Sequence, residues 1–140
     1  MKFYVLLISV LMGITDSNII TLEDLKWKNR VLLVFPSLDE ETPVIWEMKD
    51  SLLVEISERD LIYFVFGDSL ITNSTFNFDE GYEETIRSRY ALGSKELCWV
   101  LLGKDGGSKL RKEGTAPDWE LLFRTIDAMP MRQREISRKN

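Results

Sequence analysis

Apolar residues along this chain gather in short runs that follow two different periods. Val31-Leu32-Leu33-Val34-Phe35 is continuous and closed by Pro36, the pattern of a strand buried on both faces. Residues 44–58 instead place Val44, Met48, Leu52 and Ile56 four apart, with Ile45 and Leu53 widening the stripe, which predicts an amphipathic helix. Leu61–Phe66, closed by Gly67-Asp68, repeats the buried-strand pattern. The stretch 69–78 is polar and turn-rich and reads as a loop. A helix is expected from Glu80 to Ala91, ending near Gly93. Leu97–Leu102 is a third apolar strand. Lys104-Asp105-Gly106-Gly107 then supplies a hairpin turn, and Ser108–Arg111 returns as a fourth strand. Pro117 suits the first turn of a helix running to Met129, with Leu121, Leu122, Phe123 and Ile126 inward, and Pro130 stops it. Thr21-Leu22-Glu23-Asp24 has the shape of a capping box and predicts a short helical turn.

The order is β-α-β-α-β-β-α. A βαβ unit makes parallel neighbours, and the Asp-Gly hairpin makes the last two strands antiparallel. The expected fold class is α/β: a four-stranded mixed sheet with helices on both faces, the thioredoxin-like arrangement. At 140 residues the chain has room for one such domain, assigned to residues 18–131.

The ends are of different character. Lys2 precedes a largely apolar run, Phe3–Ile14, and Thr15, Asp16 and Ser17 follow it, the pattern of a secretory signal peptide over residues 1–17. The run is shorter than the roughly 20 residues of a membrane span, so a secreted or periplasmic protein without a stable span after processing is expected. Residues 132–140 are a basic tail, read as a solvated terminus: Arg132, Arg134, Arg138 and Lys139 against Glu135. The whole chain carries a formal charge of −5. Its acid therefore lies between leader and tail, which disfavours nucleic acid as a partner. A protein or acidic polymer could be met through the tail.

Candidate chemistry is narrow. There is no histidine and one cysteine, which removes the common metal sites, Cys–His and Ser–His pairs, and any intramolecular disulfide. No cofactor is implied. Cys98 lies inside an apolar strand, where burial disfavours the thiolate. The segment after the first strand, where a thioredoxin-like enzyme places its reactive thiol, runs Pro36-Ser37-Leu38-Asp39-Glu40-Glu41-Thr42-Pro43-Val44-Ile45-Trp46 and has no cysteine. Asp39-Glu40-Glu41 reads as helix-start acids that complement a dipole. Asp79-Glu80-Gly81-Tyr82-Glu83-Glu84 reads the same way and lacks the alternating ligands of a calcium loop. Asn73-Ser74-Thr75 is a glycosylation acceptor pattern on a polar loop.

Four segments together resemble a known family: Leu25–Phe35, Arg59-Asp60-Leu61, Gly103–Leu110, and Ile126-Asp127-Ala128-Met129-Pro130-Met131-Arg132. The family is a domain of unknown function found in bacterial exported proteins, with vertebrate relatives among extracellular-matrix proteins of the sushi-repeat and down-regulated-by-Src type. The resemblance implies a thioredoxin- or peroxiredoxin-like fold and carries no catalytic residues to transfer.

Topology predicts where these segments meet. Arg30 and Arg59-Asp60 precede parallel strands, the Lys104–Gly107 hairpin returns to the same end, and the last helix delivers Arg132 there. Arg30, Arg59, Asp60, Lys104, Asp105, Asp127 and Arg132 are therefore the candidate site, with the acids available to pair with the arginines. A structural lock is the preferred reading over a binding site, because ligands in open α/β sheets usually bind at the strands' carboxyl ends. The expectation is an exported non-redox module that binds or supports structure. The alternatives are a peroxiredoxin-like enzyme using Cys98 and a hydrolase using carboxylates.

Overall fold

The computed structural model describes residues 18–38 and 48–140. The leader, Asp39-Glu40-Glu41 and the expected helix start at Val44 and Ile45 lie outside the described residues, while Met48 and Lys49, also expected within that helix, precede its first residue, Asp50. Within them the chain is a mixed α/β structure. A two-stranded parallel sheet joins β1 (Asn18–Ile19) to β5 (Phe76–Asn77). The main sheet is built from β2 (Arg30–Phe35), β3 (Leu61–Phe66), β4 (Leu70–Thr72), β6 (Cys98–Leu102) and β7 (Ser108–Glu113). Its order is β4-β3-β2-β6-β7, five strands rather than the four expected. Only β2 and β3 run parallel; the other three pairings are antiparallel.

The central strands bury every side chain, and alternation along them divides two cores. Val31, Leu33 and Phe35 face one cluster, which α2 (Glu80–Tyr90) covers with Ile86, Tyr82 and Tyr90. Leu32 and Val34 face the other, which α1 (Asp50–Glu58) and α3 (Trp119–Asp127) cover with Ile56, Leu122 and Ile126. Helices therefore lie on both faces, as the strand patterns require. The expected capping box forms at a 3₁₀ turn, Leu22–Leu25, where the Asp24 carboxylate accepts from Thr21 N at 2.8 Å. The hairpin forms too: the Asp105 carboxylate accepts from Gly107 N at 2.9 Å, and Gly106 has φ +80.

Three expectations are corrected. The loop at 69–78 contains β4 and β5. Its polarity misleads because β4 is an edge strand, half in water, and Asn73 completes it with side-chain chemistry. The Asn73 amide accepts from Tyr63 N at 2.9 Å and donates to Leu61 O at 3.1 Å, so it pairs β3 where β4 stops. The last long helix begins at Trp119, not Pro117, because the Asp118 carboxylate accepts from Glu120 N and Leu121 N and caps it there. The tail stays largely exposed but is helical and anchored by buried Arg132: Pro130, which stops α3, is also the first residue of α4 (Pro130–Lys139). Proline ends one helix and starts the next for the same reason, a fixed φ and a missing N–H.

Candidate functional site

At the end of the sheet where β2 and β3 begin, four cations are buried: Arg30, Arg59, Lys104 and Arg132. Each is brought there by a different element. Arg30 opens β2, Arg59 follows α1, Lys104 follows β6, and Arg132 sits in the first turn of α4. An unpaired buried charge is strongly disfavoured, so each must find a carboxylate or carbonyl.

Arg30, 0% exposed, holds Glu135 with both terminal nitrogens, at 3.2 and 3.1 Å, and Nη1 also donates to Arg59 O at 2.9 Å. Its Nε has no hydrogen-bond partner among the described residues. Lys104 Nζ bridges two acids, Asp60 at 2.9 Å and Glu135 at 2.6 Å. Arg59 makes the paired contact to Asp127, Nε at 3.0 Å and Nη2 at 2.8 Å, adds Glu55 through Nη1, and lies 4.4 Å over the Phe123 ring. Arg132 closes the ring: Nε to the same Asp127 oxygen at 3.1 Å, Nη1 to Glu58 O at 2.9 Å. Bidentate arginine–carboxylate pairs of this kind are the strong ones.

Asp60 reaches Lys104 from a left-handed backbone, φ +49, which a non-glycine residue adopts at a cost of about 1–2 kcal/mol. The conformation ends α1, with Asp60 N donating to Ser57 O. It also lets Asp60 O accept from Arg30 N, starting β2 alongside.

The four cations meet four carboxylates, Glu55, Asp60, Asp127 and Glu135, so the site is neutral as a whole. Burial works against the charge on Asp127, but hydrogen bonds from Arg59 and Arg132 outweigh it and hold the carboxyl below its ordinary range. Glu135 follows the same balance, with burial outweighed by Arg30 and Lys104. Burial also opposes the Arg59 charge, and bonds to Asp127 and Glu55 lift its pKa nonetheless. Acids held this low are poor proton donors near neutrality, so the arrangement suits fastening better than general acid catalysis.

Of the seven residues expected here, six converge: Arg30, Arg59, Asp60, Lys104, Asp127 and Arg132. Asp105 does not. Its carboxylate turns back into the hairpin to Lys109 at 2.9 Å and Gly107 N, and the Lys109 bond, with the Gly107 amide, lowers its pKa. The partner of Arg30 is Glu135 rather than an aspartate. Glu135 and Glu55 were missed, and one signal could have found the first: Glu135 is three residues from Arg132 and shares its face once the tail is helical. Among the described residues no group of histidine, cysteine and carboxylate side chains is placed to hold a metal ion.

Fold and site together define a mixed α/β domain fastened at one end by a buried ionic network. A family model described as Domain of unknown function (DUF4174) matches residues 21–135, and the chain belongs to that family. No curated protein and no solved structure matches it.

Proposed function

We propose that this protein is an exported, thioredoxin-like module without a redox centre, serving by binding or as a structural element. The observation that carries the reading is the position of its single thiol. Cys98 is 0% exposed in β6, opposite Phe35, in the middle of the apolar cluster under α2. Burial pushes its pKa up; Arg111 pulls the other way and is outweighed, and Glu113 adds to the rise. A thiol that is both inaccessible and protonated is a poor nucleophile. The thioredoxin-like part rests on topology: a parallel β2/β3 pair joined through β6 to an antiparallel β7, with helices on both faces. Export rests on the leader pattern at residues 1–17.

The ionic network at the sheet end acts here as a lock that fastens α4 to the strand starts. It is not assigned catalysis, since the carboxylates of Asp127 and Glu135 are taken up by bonds from Arg59, Arg132, Arg30 and Lys104. Thiol labelling tests the central claim. Cys98 should react with a maleimide only after denaturation. Fast labelling of the native protein at neutral pH, or a peroxidase activity lost in Cys98→Ser, would replace this reading with the peroxiredoxin-like one. Intact mass of protein recovered outside the cell tests export, with removal of the leader near Ser17 expected.

A further inference from the structure

Glu135 sits in the lock as a ligand sits in a receptor. Arg30 donates both terminal nitrogens to its carboxylate, at 3.2 and 3.1 Å, and Lys104 Nζ adds a third bond at 2.6 Å. The donors belong to the packed body of the protein. Arg30 is wholly buried at the start of β2, and Lys104, also buried, is fixed a second time by Asp60. The carboxylate belongs to the periphery. Among the described residues, neither apolar cluster contains a residue of α4. The first turn of α4 is tied to Asp127 and the Glu58 carbonyl through Arg132 and Gln133. Beyond it, Glu135 is the only one of the described residues of α4 with a hydrogen bond outside the helix. Glu135 also lines a groove of about 610 Å³ that it shares with Leu53 and Val54, two exposed apolar residues of α1.

We infer that Arg30 and Lys104 form a carboxylate-binding site that Glu135 fills in cis, and that a small aliphatic carboxylic acid entering by the groove displaces it. This rests on the reading of the protein as a binding module, and on neither its thiol nor its leader. The paired guanidinium N–H groups of Arg30 fit the two oxygens of a carboxylate. Buried cations need an anion beside them, so a departing Glu135 is exchanged for another acid rather than simply lost. Such an exchange only requires α4 to lift beyond its first turn, and it uncovers no part of either apolar cluster. The groove has the size of a small-molecule site. Leu53 and Val54 offer its occupant an apolar wall, which favours an alkyl chain over water. A polyacid is disfavoured, because the chain as a whole carries −5.

Titration of the isotopically labelled full chain with sodium hexanoate, followed by NMR at an ionic strength held constant with sodium chloride, tests this. Saturable shifts are expected at the amides of Arg30, Lys104 and residues 135–139. Glu135→Gln should bind hexanoate roughly 10-fold more tightly than the natural chain, because a tethered competitor has been removed. Glu135→Asp, still charged but one methylene shorter, should fall between the two and serves if the glutamine variant does not fold. Acetate should bind the Glu135 variants more weakly than hexanoate, and Val54→Ser should narrow that difference. The absence of saturable shifts in the folded Glu135 variants overturns the inference, as does equal affinity in variant and natural chain, or a response that chloride alone reproduces. Equal binding of acetate and hexanoate overturns the assignment of an aliphatic ligand. Failure on any of these counts leaves the inert thiol and the ionic lock standing.

Discussion

Arg30 and Glu135 stand 105 residues apart and meet through two hydrogen bonds, 3.2 and 3.1 Å, with the arginine wholly buried. The first residue of the central strand is thereby tied to the C-terminal helix, and Lys104 ties the same carboxylate to the hairpin after β6. One acid is thus shared between two buried cations, and Asp60 supplies the second charge that Lys104 meets.

Glu135→Ala is therefore expected to destabilise the fold well beyond an ordinary surface change. It leaves Arg30 with only the Arg59 carbonyl and leaves Lys104 with Asp60 alone. Breaking a buried pair from one side costs about 3–5 kcal/mol; because Glu135 retains some exposure, we expect the lower part of that range. Urea denaturation monitored by tryptophan fluorescence measures it. A change under about 0.5 kcal/mol, the size of a neutral surface substitution, would contradict the lock.

Stability should fall on the acid side in a defined window. Asp127 and Glu135 have folded pKa values below their ordinary ones. The folded state thus binds fewer protons there than the unfolded chain. The stabilisation is fully present above the unfolded values of about 4 and is lost as pH drops through the folded ones. Melting temperature followed downward from pH 7 should stay level and then drop below roughly pH 4–5. Asp127→Asn and Glu135→Gln should each lower stability at neutral pH and flatten the acid loss. An unaltered acid slope in both would contradict the assignment.

Asn73 is expected to be a structural residue of the sheet. Its amide makes both bonds that a neighbouring strand would make to β3, to Tyr63 N and Leu61 O. Asn73→Ala removes both and should cost about 1–2 kcal/mol. Hydrogen exchange at the Tyr63 amide should accelerate relative to Phe64 and Val65. Unchanged protection at Tyr63 would count against this role.

Two glycine substitutions should move in opposite directions. Gly106 has φ +80, and a Cβ there would lie 2.5 Å from Lys26 Cε, so Gly106→Ala strains the hairpin even if the lysine swings aside. The expected loss is about 1–2 kcal/mol. Gly81 sits in the first turn of α2, where a Cβ would come no closer than 3.4 Å to Asp79. Gly81→Ala should gain roughly 0.5 kcal/mol. Equilibrium denaturation of the pair, side by side, reads both signs.

The elements whose pattern is local were legible in the chain. Unbroken apolar runs at 31–35 and 61–66, short and closed by Pro36 and Gly67, read as strands covered on both faces, and Asp-Gly between two strands reads as a tight turn. From those, topology alone brings Arg30, Arg59, Asp60, Lys104, Asp127 and Arg132 to one end, because direction along a sheet follows from the order of its strands. What the tertiary structure decided is what depends on a neighbour. β4 is only Leu70-Ile71-Thr72, too short to announce itself inside a polar stretch, and exists because β3 offers an open edge and Asn73 finishes the pairing. Residues 132–140 look like a solvated tail because they are basic and have little apolar content. They belong to a helix tied down at its start because Arg132, buried there, finds Asp127 and the Glu58 carbonyl, and Glu135 finds Arg30 and Lys104. Asp105, placed by sequence among the same group, is instead captured by Lys109 four residues away. Periodicity records which side chains avoid water. Which charge meets which is settled only when the folded backbone sets the distances.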